Sequence, residues 1–235
     1  MSGSADYYAA NLSAERLRKC YALASPRVRQ YLSSEVEYAA SCLSPGDAAL
    51  ELGCGYGRVT LELAKAAGRV VGIDTSAESI ALARTLVEPG GNCEFLEMDA
   101  AELAFVDGRF DAVVCVQNGI CAFGVDPPRL VREALRVTRA GGRALFSTYA
   151  SAFWPHRLEW FEAQAEAGLV GELDRGRTGD GTIVCADGLR LGTLTPAALR
   201  EVGSEIGLEP LIVEVDGSSV FAVWTAPAPA SAHRP

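Results

Sequence analysis

The chain has 235 residues, 49 % of them hydrophobic and 22 % charged, the balance of one folded domain rather than a fibrous or disordered chain. A net charge of −9 without any lysine or arginine cluster argues against a nucleic-acid partner. No apolar run approaches the roughly 18 residues of a membrane span, which argues against a membrane role.

The opening, Met1-Ser2-Gly3-Ser4-Ala5-Asp6, lacks the basic segment and apolar core of a secretory signal, so the expected location is cytoplasmic. The expected partner is a small molecule, and the composition leaves monomer and homodimer both open. Seven cysteines at 20, 42, 54, 93, 115, 121 and 185 form no CxxC pair. Such an odd, scattered set fits neither a disulfide framework nor a zinc ribbon, and no metal is expected.

In chain order, residues 1–46 read as a helical cap. Ser13 precedes one helix, and Ser25-Pro26 opens a second whose apolar positions, Val28, Tyr31, Leu32, Val36 and Ala39, follow the helical period. Pro45-Gly46-Asp47 leads into a first strand at Ala48–Leu52. A glycine-rich turn and a helix follow, then a second strand, Arg69–Asp74, and a helix begun by Ser76 and Glu78. Glu94–Met98 is a third strand. Asp111–Gln117 is a fourth, apolar enough for a sheet buried on both faces. A helix from Pro127 is expected to break at Ala140-Gly141-Gly142 before a fifth strand, Arg143–Ser147.

The rhythm then changes. An aromatic helix from Phe153 to Ala167 and a Gly-rich hairpin excursion form an insertion at about 150–194. A last helix over Pro196–Ile206 and two strands, Leu211–Val215 and Val220–Trp224, close the domain at 225. Residues 226–235 are a low-complexity tail expected to be disordered. Alternating strands and helices of this kind imply a doubly wound, mostly parallel sheet.

The most informative stretch is Glu51-Leu52-Gly53-Cys54-Gly55-Tyr56-Gly57, followed by Asp74 at the end of the second strand. Glycines at alternate positions let main-chain N–H groups approach a ligand at the start of a helix, and the acid is placed for ribose hydroxyls. A dinucleotide fingerprint would put its third glycine at position 58, where Arg58 stands.

The pattern instead resembles motif I of the class I S-adenosylmethionine-dependent methyltransferases of the small-molecule type. That resemblance implies a seven-stranded sheet ending in an antiparallel hairpin, S-adenosyl-L-methionine as cofactor, and leading helices that close over it. It places Glu51, Gly53, Cys54, Gly55, Gly57, Asp74, Thr75, Asp99, Ala100 and Gln117 at the cofactor. Asp74 would hold the ribose diol, Met98-Asp99-Ala100 would frame the adenine, and the backbone near Gln117 would face the amino group. The reaction it implies is in-line methyl transfer to a small acceptor, driven mainly by proximity and orientation.

If the acceptor must shed a proton, His156 and Tyr149, just beyond the fifth strand, are the candidate bases. Tyr8, Asn118, Cys121, Phe153 and Trp154 are candidates for the acceptor pocket. The chain lacks the Asn/Asp-Pro-Pro-Tyr of the DNA and amide N-methylases after the fourth strand, where it has Gln117-Asn118-Gly119-Ile120. Competing readings are a non-catalytic cofactor-binding module, a nucleotide-dependent oxidoreductase, and a thiol or arsenic methyltransferase assisted by Cys121 and Cys185.

Overall fold

A computed structural model describes residues 4–228; the expected tail beyond 228, with His233, lies outside the described residues. Three helices come first: α1 (Ser4–Asn11), α2 (Ala14–Ala22) and α3 (Pro26–Ser41). The alternating section follows as β1 (Ala48–Leu52), α4 (Arg58–Leu63), β2 (Arg69–Asp74), α5 (Ala77–Thr85), β3 (Cys93–Glu97), β4 (Phe110–Cys115), α6 (Gly119–Ala122), α7 (Pro127–Val137) and β5 (Thr138–Tyr149). A short 3-10 turn, Ser151–Phe153, leads into α8 (Trp154–Glu166) and the small hairpin β6 (Ile183–Val184) and β7 (Arg190–Leu191). The chain finishes with α9 (Pro196–Ile206), β8 (Leu211–Val215) and β9 (Ser219–Thr225).

The main sheet has seven strands in the order β3-β2-β1-β4-β5-β9-β8. The first five are parallel, and β9 runs antiparallel to both β5 and β8. The order reverses between β1 and β4, so the crevice of this doubly wound sheet opens at their carboxyl ends. Strand β4 shows why the run reads as apolar throughout. Val113 and Cys115 enter one hydrophobic core, while Ala112 and Val114 enter the core on the opposite face. Val113 and Val114 are fully buried, each contributing roughly 1.5–3 kcal/mol by leaving water.

Local signals set the helix ends. The Ser25 hydroxyl accepts from the Val28 N–H at 3.3 Å ahead of Pro26, and Thr195 caps the Ala198 N–H at 3.2 Å ahead of Pro196. Gly207, with φ of 75°, ends α9 in the left-handed conformation.

Two expectations are corrected. Ala140-Gly141-Gly142 does not separate helix from strand, because β5 begins at Thr138, directly after α7. The Gly141 N–H bonds the Ala226 carbonyl and the Ala226 N–H bonds that of Gly142, so tertiary pairing draws the glycines into the strand across a register shift. The fourth strand stops at Cys115 rather than 117. Gln117 and Asn118 take φ of 55° and 62°, a left-handed turn that cannot continue a strand.

Candidate functional site

A cavity of about 480 Å³ sits at the β1–β4 switch, beneath α1 and α2. Its floor is the glycine loop. Gly55 has φ of 52°, and a Cβ there would lie 2.8 Å from the Leu17 side chain of α2. A residue with a side chain would therefore strain the left-handed backbone and displace the tip of the Leu17 side chain that roofs the cavity. Gly57, with φ of 88°, is the residue before α4, and a Cβ there would meet the Phe95 ring at 2.6 Å. It shapes the turn from below and does not line the cavity.

Asp74 is tied to the loop by its own carboxylate. One oxygen accepts from the Gly55 N–H and the other from the Ser76 N–H, both at 2.9 Å. Burial raises its pKa, and these two bonds oppose the rise. Each oxygen retains lone-pair capacity toward the cavity, the arrangement a ribose diol needs. Thr75 lies beside it, and Asp99 and Ala100 line the same wall after β3. Asp99 also accepts from the Ala101 N–H at 2.8 Å, so it closes a turn as well.

Glu51 is buried, accepts from the Thr60 hydroxyl, and is pushed by burial up to about 7. Gly53, Cys54 and Gln117 complete this part of the wall. Two donors here are buried and unpartnered: one terminal nitrogen of Arg58 and the side-chain nitrogen of Gln117. Buried donors without acceptors destabilise a fold, and both belong to residues lining the cavity. A guanidinium and an amide left open in this way suit a ligand carboxylate. The donor set therefore fits an amino-acid nucleoside: a carboxylate for the diol, glycine N–H groups beside the ribose, and cationic and amide donors for the amino-acid end.

The roof is locked on. The Tyr21 hydroxyl of α2 donates to the Gln117 side-chain oxygen, and the Arg58 guanidinium lies 4.8 Å from the Tyr21 ring centre. The Ala14 N–H donates to the Ser79 hydroxyl of α5 at 2.9 Å. The far end of the cavity is more apolar, lined by Tyr8, Leu12, Trp160, Phe161 and Leu191, with Tyr149 and the buried Gln164 as its polar marks. Burial raises the Tyr149 phenol, and the Arg157 guanidinium, 4.4 Å from its ring centre, opposes that rise.

Several expected site residues lie elsewhere. His156 does not line the cavity; its side chain is 40 % exposed on α8, 3.6 Å from Glu159. Phe153 packs between Tyr31 and Tyr149 in a closed aromatic cluster, and Trp154 stacks near Arg157. Asn118 is fully buried, donating to the Gly192 carbonyl at 2.9 Å and accepting from Thr148 at 2.8 Å; it clamps the loop behind the wall. Cys121 is also outside the lining, and burial pushes its thiol up to about 11. Cys185 packs in the small core around the hairpin. Among the described residues no three His, Cys, Asp or Glu side chains gather as metal ligands. No described helix is long and apolar enough to cross a membrane.

Sequence reasoning missed Glu35. It is fully buried on α3, accepting from Ser147 at 2.6 Å and from the Gln117 N–H at 3.1 Å. The available signal was an acid set inside the apolar stripe Val28, Tyr31, Leu32, Val36 and Ala39.

Comparison with known families matches residues 49–142 to a model described as a methyltransferase domain. That stretch contains the glycine loop, Asp74, Asp99 and Gln117. This chain carries a methyltransferase domain. The match spans β1 to the start of β5, and the whole chain has the class I methyltransferase fold. The PH0226 protein of Pyrococcus horikoshii OT3 superposes with a TM-score of 0.64 at 20 % identity, over 94 % of this chain and 98 % of that one. A 2-phytyl-1,4-naphtoquinone methyltransferase of Thermosynechococcus vestitus is 36 % identical, over 56 % of this chain and 63 % of its own length. A 2-methyl-6-phytyl-1,4-hydroquinone methyltransferase of Synechocystis is 32 % identical, over 50 % of this chain and 39 % of its own. The chain thus spans under two thirds of the length of these two curated methyltransferases.

Proposed function

We propose that the protein transfers a methyl group from S-adenosylmethionine to a small, largely apolar acceptor enclosed beneath α1 and α2. The observation that carries this is one cavity with two chemically different ends. The loop end offers the Asp74 carboxylate and the open Arg58 and Gln117 donors, while the far end is aromatic and aliphatic. When bound, the cofactor supplies an electrophilic methyl group with a good leaving group. The chain's own residues have to place the acceptor in line with that methyl and keep water out, which is where most of the acceleration lies.

Tyr149 is the polar group at the acceptor end best placed to hold an acceptor hydroxyl or amine, whereas His156 is too far outside to serve as a base. Methyltransferases of quinone and hydroquinone rings among the relatives support an acceptor of the same general kind: small, cyclic and apolar. The cavity wall carries no basic cluster for a nucleic acid, in keeping with the chain's net charge of −9. Calorimetry with S-adenosylmethionine and NAD tests the cofactor. Binding of NAD in place of S-adenosylmethionine sinks the reading in favour of an oxidoreductase. Incubation with methyl-labelled cofactor and a panel of phenols, hydroquinones and amines then tests turnover. Binding without label transfer to any of them favours a non-catalytic module.

A further inference from the structure

Glu35 lies one layer behind the cavity, and the mechanism above gives it no task. It is fully buried and has no salt-bridge partner among the described residues. Its hydrogen bonds run to the Ser147 hydroxyl and to the N–H of Gln117, the residue that lines the cavity wall. Two further hydroxyls, those of Tyr31 and Ser219, are buried beside it without a partner at full hydrogen-bond geometry, and both favour its charged form. Idle buried donors are costly. An ionised carboxylate has about four acceptor sites, and with Ser147, Gln117, Tyr31 and Ser219 the surroundings hold four donors, so the pocket is built to accept the anion as well as the acid.

The groups facing Glu35 come from every neighbouring element: Tyr31 on its own helix, Tyr149 on β5, Arg58 on α4 and Cys115 on β4. Burial pushes the two phenols and the thiol up, while the Arg58 cation favours the anion, and the Arg157 guanidinium lies against the Tyr149 ring, 4.4 Å from its centre. The net effect, dominated by burial, places Glu35 at about 7. Its charge is therefore open to what the cavity contains.

We propose that Glu35 is the counter-charge of the methyl donor: ionised while a cationic sulfonium fills the cavity, protonated once the neutral by-product remains. This rests on the methyltransferase reading. Charge and atoms balance across the reaction. The sulfur–methyl and acceptor X–H bonds break, the methyl–X bond forms and the acceptor's proton passes to solvent; as the sulfonium charge disappears Glu35 takes up one proton from solvent, so the net charge of the site is unchanged. Glu35 does not touch the ligands. It is a positioning residue that acts through the Gln117 peptide and sets how strongly the site prefers donor over by-product.

The test is isothermal titration of the full chain with S-adenosylmethionine and with S-adenosylhomocysteine between pH about 6 and about 8, in wild type, Glu35→Gln and Tyr31→Phe. Both ligands carry an ammonium that titrates by itself, so the readout is the difference between wild type and variant in the pH dependence of the affinity ratio. The wild-type preference for the cation should rise with pH by about tenfold more than that of Glu35→Gln, as for unit charges within some 10 Å at a protein dielectric of about 20. Tyr31→Phe removes a donor to the anion, so the rise should move to higher pH while S-adenosylhomocysteine binding stays intact. If neither variant departs from the wild-type profile, the proposal is overturned; if Glu35→Gln does not fold, the Tyr31→Phe profile decides alone. Failure of wild type to bind either ligand at any pH overturns the methyltransferase reading itself, a distinguishable result.

Discussion

Glu35 and Glu51 should make this protein less stable as the pH rises from about 4.5 towards neutrality. Burial lifts each from the ordinary 4.5 to about 7 in the folded chain. Because the folded value is the higher one, the folded state holds the proton more tightly than the unfolded chain. The stabilisation is complete below pH 4.5, is lost as the pH climbs to about 7, and the loss is constant above that. At about 1.4 kcal/mol per unit, a rise of this size corresponds to up to roughly 3 kcal/mol per carboxyl. Glu35→Gln keeps the shape, an acceptor for the Gln117 N–H and a partner for Ser147, but cannot ionise. At pH about 8 it should exceed wild type by about 2–3 kcal/mol, or about 5–10 °C in Tm for a chain of this size, and at pH about 4.5 the two should converge. Urea unfolding followed by circular dichroism at matched ionic strength measures this. Taking the difference between the two proteins cancels Asp111, where hydrogen bonds from Arg139 and the Ala48 N–H outweigh burial, and Glu133, lowered by Arg136; both lose stabilisation in acid instead. A variant no more stable than wild type at pH about 8 would show that Glu35 is not a desolvated acid, and the reasoning from its burial would fail.

Asp74→Ala should weaken S-adenosylhomocysteine binding by roughly a hundredfold or more, because it removes the diol acceptor and frees the Gly55 N–H, with charged hydrogen bonds near 1.5–3 kcal/mol each; calorimetry reads it, and unchanged affinity would refute the cofactor site. Gly55→Val should lower affinity even in folded protein, since the left-handed backbone is strained and the new side chain displaces Leu17 above the cavity floor, which fluorescence titration of the cavity-lining Trp160 can follow. Asn118→Ala should cost about 2–3 kcal/mol of unfolding free energy, leaving the Thr148 hydroxyl and the Gly192 carbonyl short of a partner. His156→Ala should change stability by no more than about 0.5 kcal/mol and leave cofactor affinity and methyl transfer untouched, since the side chain is outside the cavity; a large loss of turnover would restore it as a base.

The amino-acid sequence by itself determined what short-range physics governs. Gly53, Gly55 and Gly57 announce a turn that only glycine makes easily, and Asp74 follows at the end of the next strand, so loop and acid could be read before any fold was known. Apolar runs marked the strands and a mostly parallel sheet, because a sheet buried on both faces leaves that trace in each strand. The acceptor end was another matter. Whether Tyr149 at the end of β5, Phe153 in the 3-10 turn or His156 on α8 faces the cavity depends on how these elements pack against α3 and the roof, which local pattern does not reveal. Cys121 and Asn118 were read correctly as lying after β4, but the left-handed pair at 117 and 118 turns them behind the wall. Glu35 became significant only when α3 set it against Ser147 and Ser219 from strands more than a hundred residues away. A backbone turn is decided by its own few residues, whereas the charge state of a buried acid is decided by everything that replaces its water, and only the tertiary structure determines that.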